Sequence, residues 1–250
     1  MTRYQKTLKE YLHVRHKISS HQKYKLMRDM IAAVKILHEH GISHRDLSEV
    51  NVMVNEVDGV YLKDGTLRPK VILIDYGKAR LTQKEEIQKW YLRALPPDEE
   101  ELLPRIRTVP DHGYKRYRSI NTLPRSKKDW DILPHSINPF AEDIYSLGIL
   151  LWRTFTQQNP WAGVFDDDIK GLRHIVGDTV RLRAEICKAI PGQKCRELLF
   201  GCLTVDDADR WDINQLSEWI WNKENRMQLI SEFDQDFSGR HSIRRSMARV

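Results

Sequence analysis

His44-Arg45-Asp46-Leu47-Ser48-Glu49-Val50-Asn51 is the stretch on which the fold turns, and Asp75-Tyr76-Gly77 completes it. The first follows directly on a segment, about His21 to His40, where Leu26, Met30, Ala33, Val34 and Leu37 recur at helical spacing until Gly41 stops them. Between the two motifs lie Val52-Met53-Val54 and Val71-Ile72-Leu73-Ile74, apolar β-branched runs separated by Gly59 and the Asp64-Gly65 turn. That pattern predicts an antiparallel ribbon with an enlarged connection. Such a ribbon brings Asp46, Asn51 and Asp75 to one end of the sheet. A carboxamide facing a carboxylate offers hard oxygen ligands suited to Mg2+. A further carboxylate, placed off the metal, can accept a proton from an attacking hydroxyl. Any one of these residues alone would be an ordinary turn or cap; their order and their flanks make the set specific.

The composition fits this placement and excludes several classes. The chain has 250 residues, 40% hydrophobic and 30% charged, which suits a folded globular protein and not a disordered, collagenous or membrane-spanning one. With 41 Lys+Arg against 35 Asp+Glu the net charge is +6, too modest to argue for a dedicated nucleic-acid binder. The first residues, Met1-Thr2-Arg3-Tyr4-Gln5-Lys6, lack the apolar core of a secretory signal. The most apolar stretch, Ile144 to Trp152, is far too short to cross a bilayer. The three cysteines, Cys187, Cys195 and Cys202, have no C-x-x-C spacing and suit neither a disulfide framework nor a zinc site. Cys195 and Cys202 share a helix face and are expected to pack as small apolar groups. The expected setting is intracellular, cytoplasmic or nuclear.

Further out, Thr7 to Leu12 has the pattern of a short helix. Residues 82 to 118 carry Pro96-Pro97, Asp98-Glu99-Glu100-Glu101 and Pro110, so they are expected to be mostly loop, with a helical turn or two near Lys84 to Leu92. Asn138-Pro139 supplies a cap and a first-turn proline for a helix that is apolar nearly all round, hence buried and central, about residues 140–157. More helices are expected near Asp166 to Val176, Lys194 to Leu203 and Asp212 to Trp221. From Ser238 the tail carries Arg240, Arg244, Arg245 and Arg249 with little apolar content, which predicts a solvated, partly disordered end. The fold class is therefore mainly α with a small β-ribbon.

With these residues in place the sequence resembles the eukaryotic protein kinases, specifically their large C-terminal lobe. His44 to Asn51 fits the family's H-R-D-L-x-x-x-N loop, and Asp75-Tyr76-Gly77 is similar to its D-F-G. Asp143-Ile144-Tyr145-Ser146-Leu147-Gly148 resembles the family's D-x-W-S-x-G helix. Cys202-Leu203 with Asp206 and Arg210 is similar to its C-x-x-x-D-P-x-x-R-P stretch. The likeness runs from about Thr7 to Trp221. It implies a kinase-like domain over 1–222 with a catalytic loop at 44–51 and an activation segment at 75–121. An insertion would occupy about 82–110, and 223–250 would be a basic extension.

The resemblance also implies roles. Asp46 would orient and deprotonate the acceptor hydroxyl, and Asn51 and Asp75 would hold Mg2+ on the ATP phosphates. Arg45 would receive a phosphate on the activation segment, where Thr82, Thr108, Tyr114 and Tyr117 are candidates. His44 and Tyr76 would pack in an internal hydrophobic column, Gly77 would close the D-F-G motif, and Asp143 would anchor the catalytic-loop backbone. A protein substrate, and a partner protein, would follow from the same likeness.

The departures are as informative. The family usually has Lys two residues after the catalytic Asp; this chain has Ser48. Position 50 is Val, so the Arg marker of tyrosine-specific relatives is missing too, and serine/threonine specificity is the preferred expectation. Ile120-Asn121 stands where the family's A-P-E ends in Pro-Glu, leaving Arg210 without its usual partner; Asn121 or Asp129 are the candidates to serve instead. No G-x-G-x-x-G and no V-A-I-K-like strand occurs, and only residues 1–43 precede His44. The expectation is a large lobe without its small lobe, as from a longer protein. Three functions follow: ATP- and Mg2+-dependent transfer to a protein hydroxyl, a non-catalytic kinase-like interaction module, and a small-molecule kinase of the aminoglycoside or choline type. The third lacks support, because such enzymes have neither Arg45's counterpart nor the segment from Gly77 to Asn121.

Overall fold

The computed structural model describes residues 4, 6–14, 18–91 and 96–234. The helical stripe read from the sequence forms α2 (Ser20–Glu39), which follows β1 (Lys6–Thr7) and α1 (Leu8–Val14). Ser19 caps α2 through a capping box with Gln22. At its other end Gly41 takes φ +68, and a Cβ there would lie 2.6 Å from the Gln83 side chain. Glycine is required at that turn by conformation and by space.

After β2 (Ile42–Ser43), strands β3 (Val52–Tyr61) and β4 (Leu67–Leu73) form the expected antiparallel ribbon. Its register pairs Val52 with Leu73 and Val54 with Val71, so Val52, Val54 and Leu73 turn inward. β1 adds to the free edge of β3, a pairing too short to be visible in the sequence. The ribbon packs on α2 through β4, and Gln22 of α2 bonds to Glu56 and to Leu67 O.

The segment expected to be mostly loop is more ordered than its charge suggests. β5 (Arg80–Leu81) pairs with β2, then come α3 (Lys84–Tyr91), α4 (Pro97–Glu100) and a 3-10 turn at Lys115–Tyr117. Ile106 pairs with Ile137 through two backbone hydrogen bonds of 2.9 Å. Within this stretch Arg107 pairs with Asp98 at 3.0 Å, and Arg105 ties it to Asp207 at 3.1 Å. Leu92, the expected end of the first helical turn, lies outside the described residues.

Helix α5 (Pro139–Thr156) runs through the centre, with Leu147, Ile149, Leu150, Leu151 and Phe155 fully buried. Asn138 caps it by accepting from the Phe140 and Ala141 N–H groups. Gly148 lets the next layer approach: a Cβ there would meet the Cys202 Cβ at 2.6 Å. That layer is α6 (Ile169–Val176), α7 (Thr179–Ala189), α8 (Gln193–Cys202), α9 (Ile213–Trp221) and α10 (Lys223–Phe233).

Two of these helices depart from the sequence reading. α7 was not expected. The extension expected from residue 223 begins as α10, which packs on α2, α8 and α9 and buries Leu229 and Phe233. The basic residues from Arg240 to Arg249 lie outside the described residues. Among the described residues no helix is long and apolar enough to cross a membrane.

Cys195 and Cys202, one helical face of α8, are both buried, whereas Cys187 on α7 is exposed. Burial pushes the Cys202 thiol up to about 12 and the Cys195 thiol well above its ordinary value. A thiol reagent is therefore expected to label Cys187 alone in the folded chain, with the other two reacting only on denaturation. Labelling of Cys202 at the rate of Cys187 would contradict this packing.

Candidate functional site

Asp143, in the first turns of α5 and almost fully buried, organises the site. Its Oδ2 accepts the His44 N–H and its Oδ1 the Arg45 N–H, each at 2.7 Å, and His38 Nε2 lies 3.1 Å from Oδ2. This grip explains how Arg45 is held at φ 64, a left-handed conformation that costs a non-glycine residue about 1–3 kcal/mol. Asp75, at the other motif, also sits at φ 64. One strained residue directly precedes Asp46, and the other is itself one of the three residues, Asp46, Asn51 and Asp75, that the ribbon brings to this end.

The ribbon end is stitched by short-range bonds. The Ile74 N–H donates to Asn51 O at 3.0 Å, which sets Asn51 beside the residue preceding Asp75. Asn51 Nδ2 donates to Asp46 O at 2.8 Å, so its amide nitrogen is committed inward and its oxygen is left as the group that would ligate. His44 Nδ1 accepts from the Asp46 N–H at 3.3 Å; the network therefore assigns the ring proton to Nε2, which donates to Ile74 O at 3.2 Å. Asp75 is exposed, and its Oδ1 accepts the Gly77 N–H at 3.3 Å.

Among the described residues no group of three or more His, Cys, Asp or Glu is placed to hold a metal by itself. One carboxylate and one amide oxygen fit a Mg2+ that takes most of its ligands from phosphates and water.

His44 is fully buried, but Tyr76 is half exposed, its ring 5.1 Å from the His44 ring. The expected column packing of Tyr76 is thus only partial among the described residues.

Asp46 sits in a cluster of four charges. Arg118 Nη2 lies 2.7 Å from Asp46 Oδ1, and Lys78 Nζ lies 3.3 Å from the same oxygen. Asp111 bridges the two cations, with Lys78 Nζ at 3.2 Å from its Oδ1 and Arg118 Nε at 3.0 Å from its Oδ2. Burial favours the neutral form of Asp111, but Arg118, the Gly113 N–H and Lys78 outweigh it and hold the carboxyl below its usual range. The loop 44–51 has no cation after Asp46; segment 75–121 brings two.

A second buried ion pair corrects the expectation for Arg210. Its partner is neither Asn121 nor Asp129 but Glu142, with Arg210 Nη1 at 2.8 Å from Glu142 Oε1. Arg210 also donates to Ala141 O at 3.0 Å, and its guanidinium lies over the Tyr145 ring. Glu142 further accepts the Ser119 hydroxyl at 2.7 Å and the Thr122 hydroxyl at 2.8 Å. A carboxylate from the start of α5 thus ties down the end of the segment that carries Arg118. Asp129 instead accepts the Arg125 N–H, and the Asn121 N–H donates to Ser119 Oγ.

The four hydroxyls singled out in segment 75–121 are placed differently. Thr108 Oγ1 accepts from Arg45 Nη2 at 3.0 Å. Burial lowers the Arg45 guanidinium from its usual value, and neighbouring Arg80 adds to this. Tyr114 is exposed. Thr82 is buried and donates to Gly41 O, and Tyr117 is buried with its phenol pushed far up by burial, so neither is presented for modification in this structure. A cavity of about 620 Å3 opens beside the loop 44–51, between Lys9 and His13 of α1, Glu49, Tyr114 and Arg116.

Lys78, Asp111, Arg118 and Glu142 were not singled out in the sequence. Two of them had a signal: Lys78 directly follows Asp75-Tyr76-Gly77, and Glu142 directly precedes Asp143. Asp111 and Arg118 lie in the long charged segment and had none.

Comparison with known proteins converges on one family. The model for the protein kinase domain matches residues 1–93. The chain is 27% identical over 115 residues to Nitrogen network kinase 1 of Saccharomyces cerevisiae, covering 43% of this chain and 12% of that protein. It is 29% identical over 154 residues to Serine/threonine-protein kinase/endoribonuclease IRE1 of Oryza sativa subsp. japonica, covering 61% of this chain and 13% of that protein. Its fold is similar to a chain of the yeast RNA Pol II CTD kinase CTDK-1 complex, with a TM-score of 0.58 at 16% identity, covering 86% of this chain and 67% of that one. The chain spans 12% to 31% of the length of five of the curated relatives it matches.

Proposed function

We propose that the chain is a member of the protein kinase family and carries the catalytic-loop side of a Mg2+-ATP-dependent phosphotransferase acting on a protein hydroxyl. The supporting observation is the gathering of Asp46, Asn51 and Asp75 at one ribbon end, around a loop pinned by Asp143. Bound Mg2+-ATP would supply the electrophilic phosphorus and its leaving group. Asn51 and Asp75 would hold the metal, and Asp46 would accept the proton of the incoming hydroxyl. Arg45, already bonded to the Thr108 hydroxyl, is placed to meet a phosphate there with a guanidinium fork. The protein relatives favour protein substrates, serine or threonine before tyrosine. Three free thiols suit a reducing, intracellular setting.

Titration with ATP tests this. Saturable binding that requires Mg2+ is expected, and Asp75→Ala should weaken it by about 10-fold or more, the scale of one charged ligand lost. Absence of saturable binding to the wild-type chain would overturn the proposal.

A non-catalytic module is the second reading, favoured by one observation: Ser48, where the family has its phosphate-steadying Lys, is fully buried and carries no charge. Mg2+-dependent binding without any transfer would favour it.

A further inference from the structure

We propose that Lys78 supplies the cation the catalytic loop lacks, contacting the phosphate that is transferred. This role rests on the phosphotransferase reading and deepens it. Ser48 cannot take the role, since its side chain is fully buried and its Oγ has no hydrogen-bond partner among the described residues. Lys78 Nζ instead reaches 3.3 Å from Asp46 Oδ1, on the oxygen of the residue that would take the acceptor's proton.

Arg118 lies closer to that oxygen but is unsuited to the task. Its side chain is 4% exposed and fixed between Asp46 and Asp111, so it positions Asp46 and stays put. The Lys78 side chain is 44% exposed, directly follows Gly77, and ends in a compact ammonium on a flexible stem. It can leave Asp111 for a stronger anion while remaining beside Asp46.

In the transfer, the bond from phosphorus to the acceptor oxygen forms as the bond to the bridging diphosphate oxygen breaks. The hydroxyl proton passes to Asp46, and Lys78 stays protonated throughout. Its charge offsets that on the moving phosphoryl oxygens, which is how this chemistry gains most of its rate.

The test compares affinity for Mg2+-ATP with that for Mg2+-ADP in wild type and variants, because losing a contact to the terminal phosphate lowers this ratio in a variant whose metal ligands are unchanged. Wild-type chain is expected to prefer ATP. Lys78→Met should cut that preference by about 10- to 100-fold, the effect of one lost charge-assisted bond. Lys78→Arg should retain most of it. Asp111→Asn, which removes the other partner of Lys78, should lower the melting temperature yet keep the ATP preference. A merely structural latch predicts the reverse, with Asp111→Asn and Lys78→Met losing the preference alike or not at all, and either result overturns the proposal. No binding of ATP by wild type would overturn the phosphotransferase reading as well, whereas an unchanged ratio in Lys78→Met overturns this role alone.

Discussion

Replacing Glu142 by alanine is expected to destabilise the chain by about 3–5 kcal/mol, because it strands the Arg210 guanidinium inside the protein. The Arg210 side chain is wholly buried and Glu142 nearly so, so water cannot replace the lost charge. In a chain of this size that loss corresponds to roughly 6–20 °C in the melting midpoint. Two hydroxyls, Ser119 and Thr122, lose their acceptor at the same time, so the end of the segment that bears Arg118 should loosen as well.

Glu142→Gln keeps an oxygen for those hydroxyls and should cost less. The double variant Glu142→Ala, Arg210→Met removes both charges and should be more stable than Glu142→Ala alone, since an apolar pair leaves nothing unpaired. Thermal melts of these proteins and of Arg210→Met alone measure this. Additive losses in the double variant would show that the pair is not coupled.

What the sequence revealed was local. α2 and α5 were legible because their apolar residues repeat at helical spacing and their ends are marked, α2 by the Gly41 stop and α5 by the Asn138-Pro139 start. The β3–β4 ribbon was legible from β-branched runs and the Asp64-Gly65 turn. α7 buries only Leu182 and Ile186, and α10 only Leu229 and Phe233; one pair four residues apart is too thin a stripe to stand out among charged neighbours. β1 is two residues long and exists only because β3 offers an open edge.

The site divides in the same way. Asp46, Asn51, Asp75 and Asp143 lie in contiguous motifs and could be named from them. The partners that neutralise or fix them come from distant positions. Lys78 and Arg118 reach Asp46 only once the segment has folded back, and Arg210 finds Glu142 through the packing of α5. A missing charge at 48 or 121 was visible in sequence; where its replacement stands is a tertiary fact.

The largest effect on activity is expected at Asp46. Its carboxylate, beside Asn51 and the cation cluster and partly exposed, is the group proposed to take the acceptor's proton. Asp46→Asn keeps the size and one oxygen, so Arg118 and Lys78 retain a hydrogen-bond acceptor and the fold should hold. Proton acceptance is lost, which for a general base is worth about 10²- to 10⁴-fold in rate. Mg2+-ATP affinity should change little by comparison, since Asn51 and Asp75 are the proposed metal ligands.

The direct test is phosphate incorporation from Mg2+-ATP into a protein acceptor, by the protein that carries this chain and by its Asp46→Asn variant at matched folded concentration. A wild-type rate that falls by that factor in the variant, with nucleotide binding intact, is the result expected of a phosphotransferase site. Equal rates in the two proteins, or no incorporation by wild type while it binds Mg2+-ATP, would contradict it.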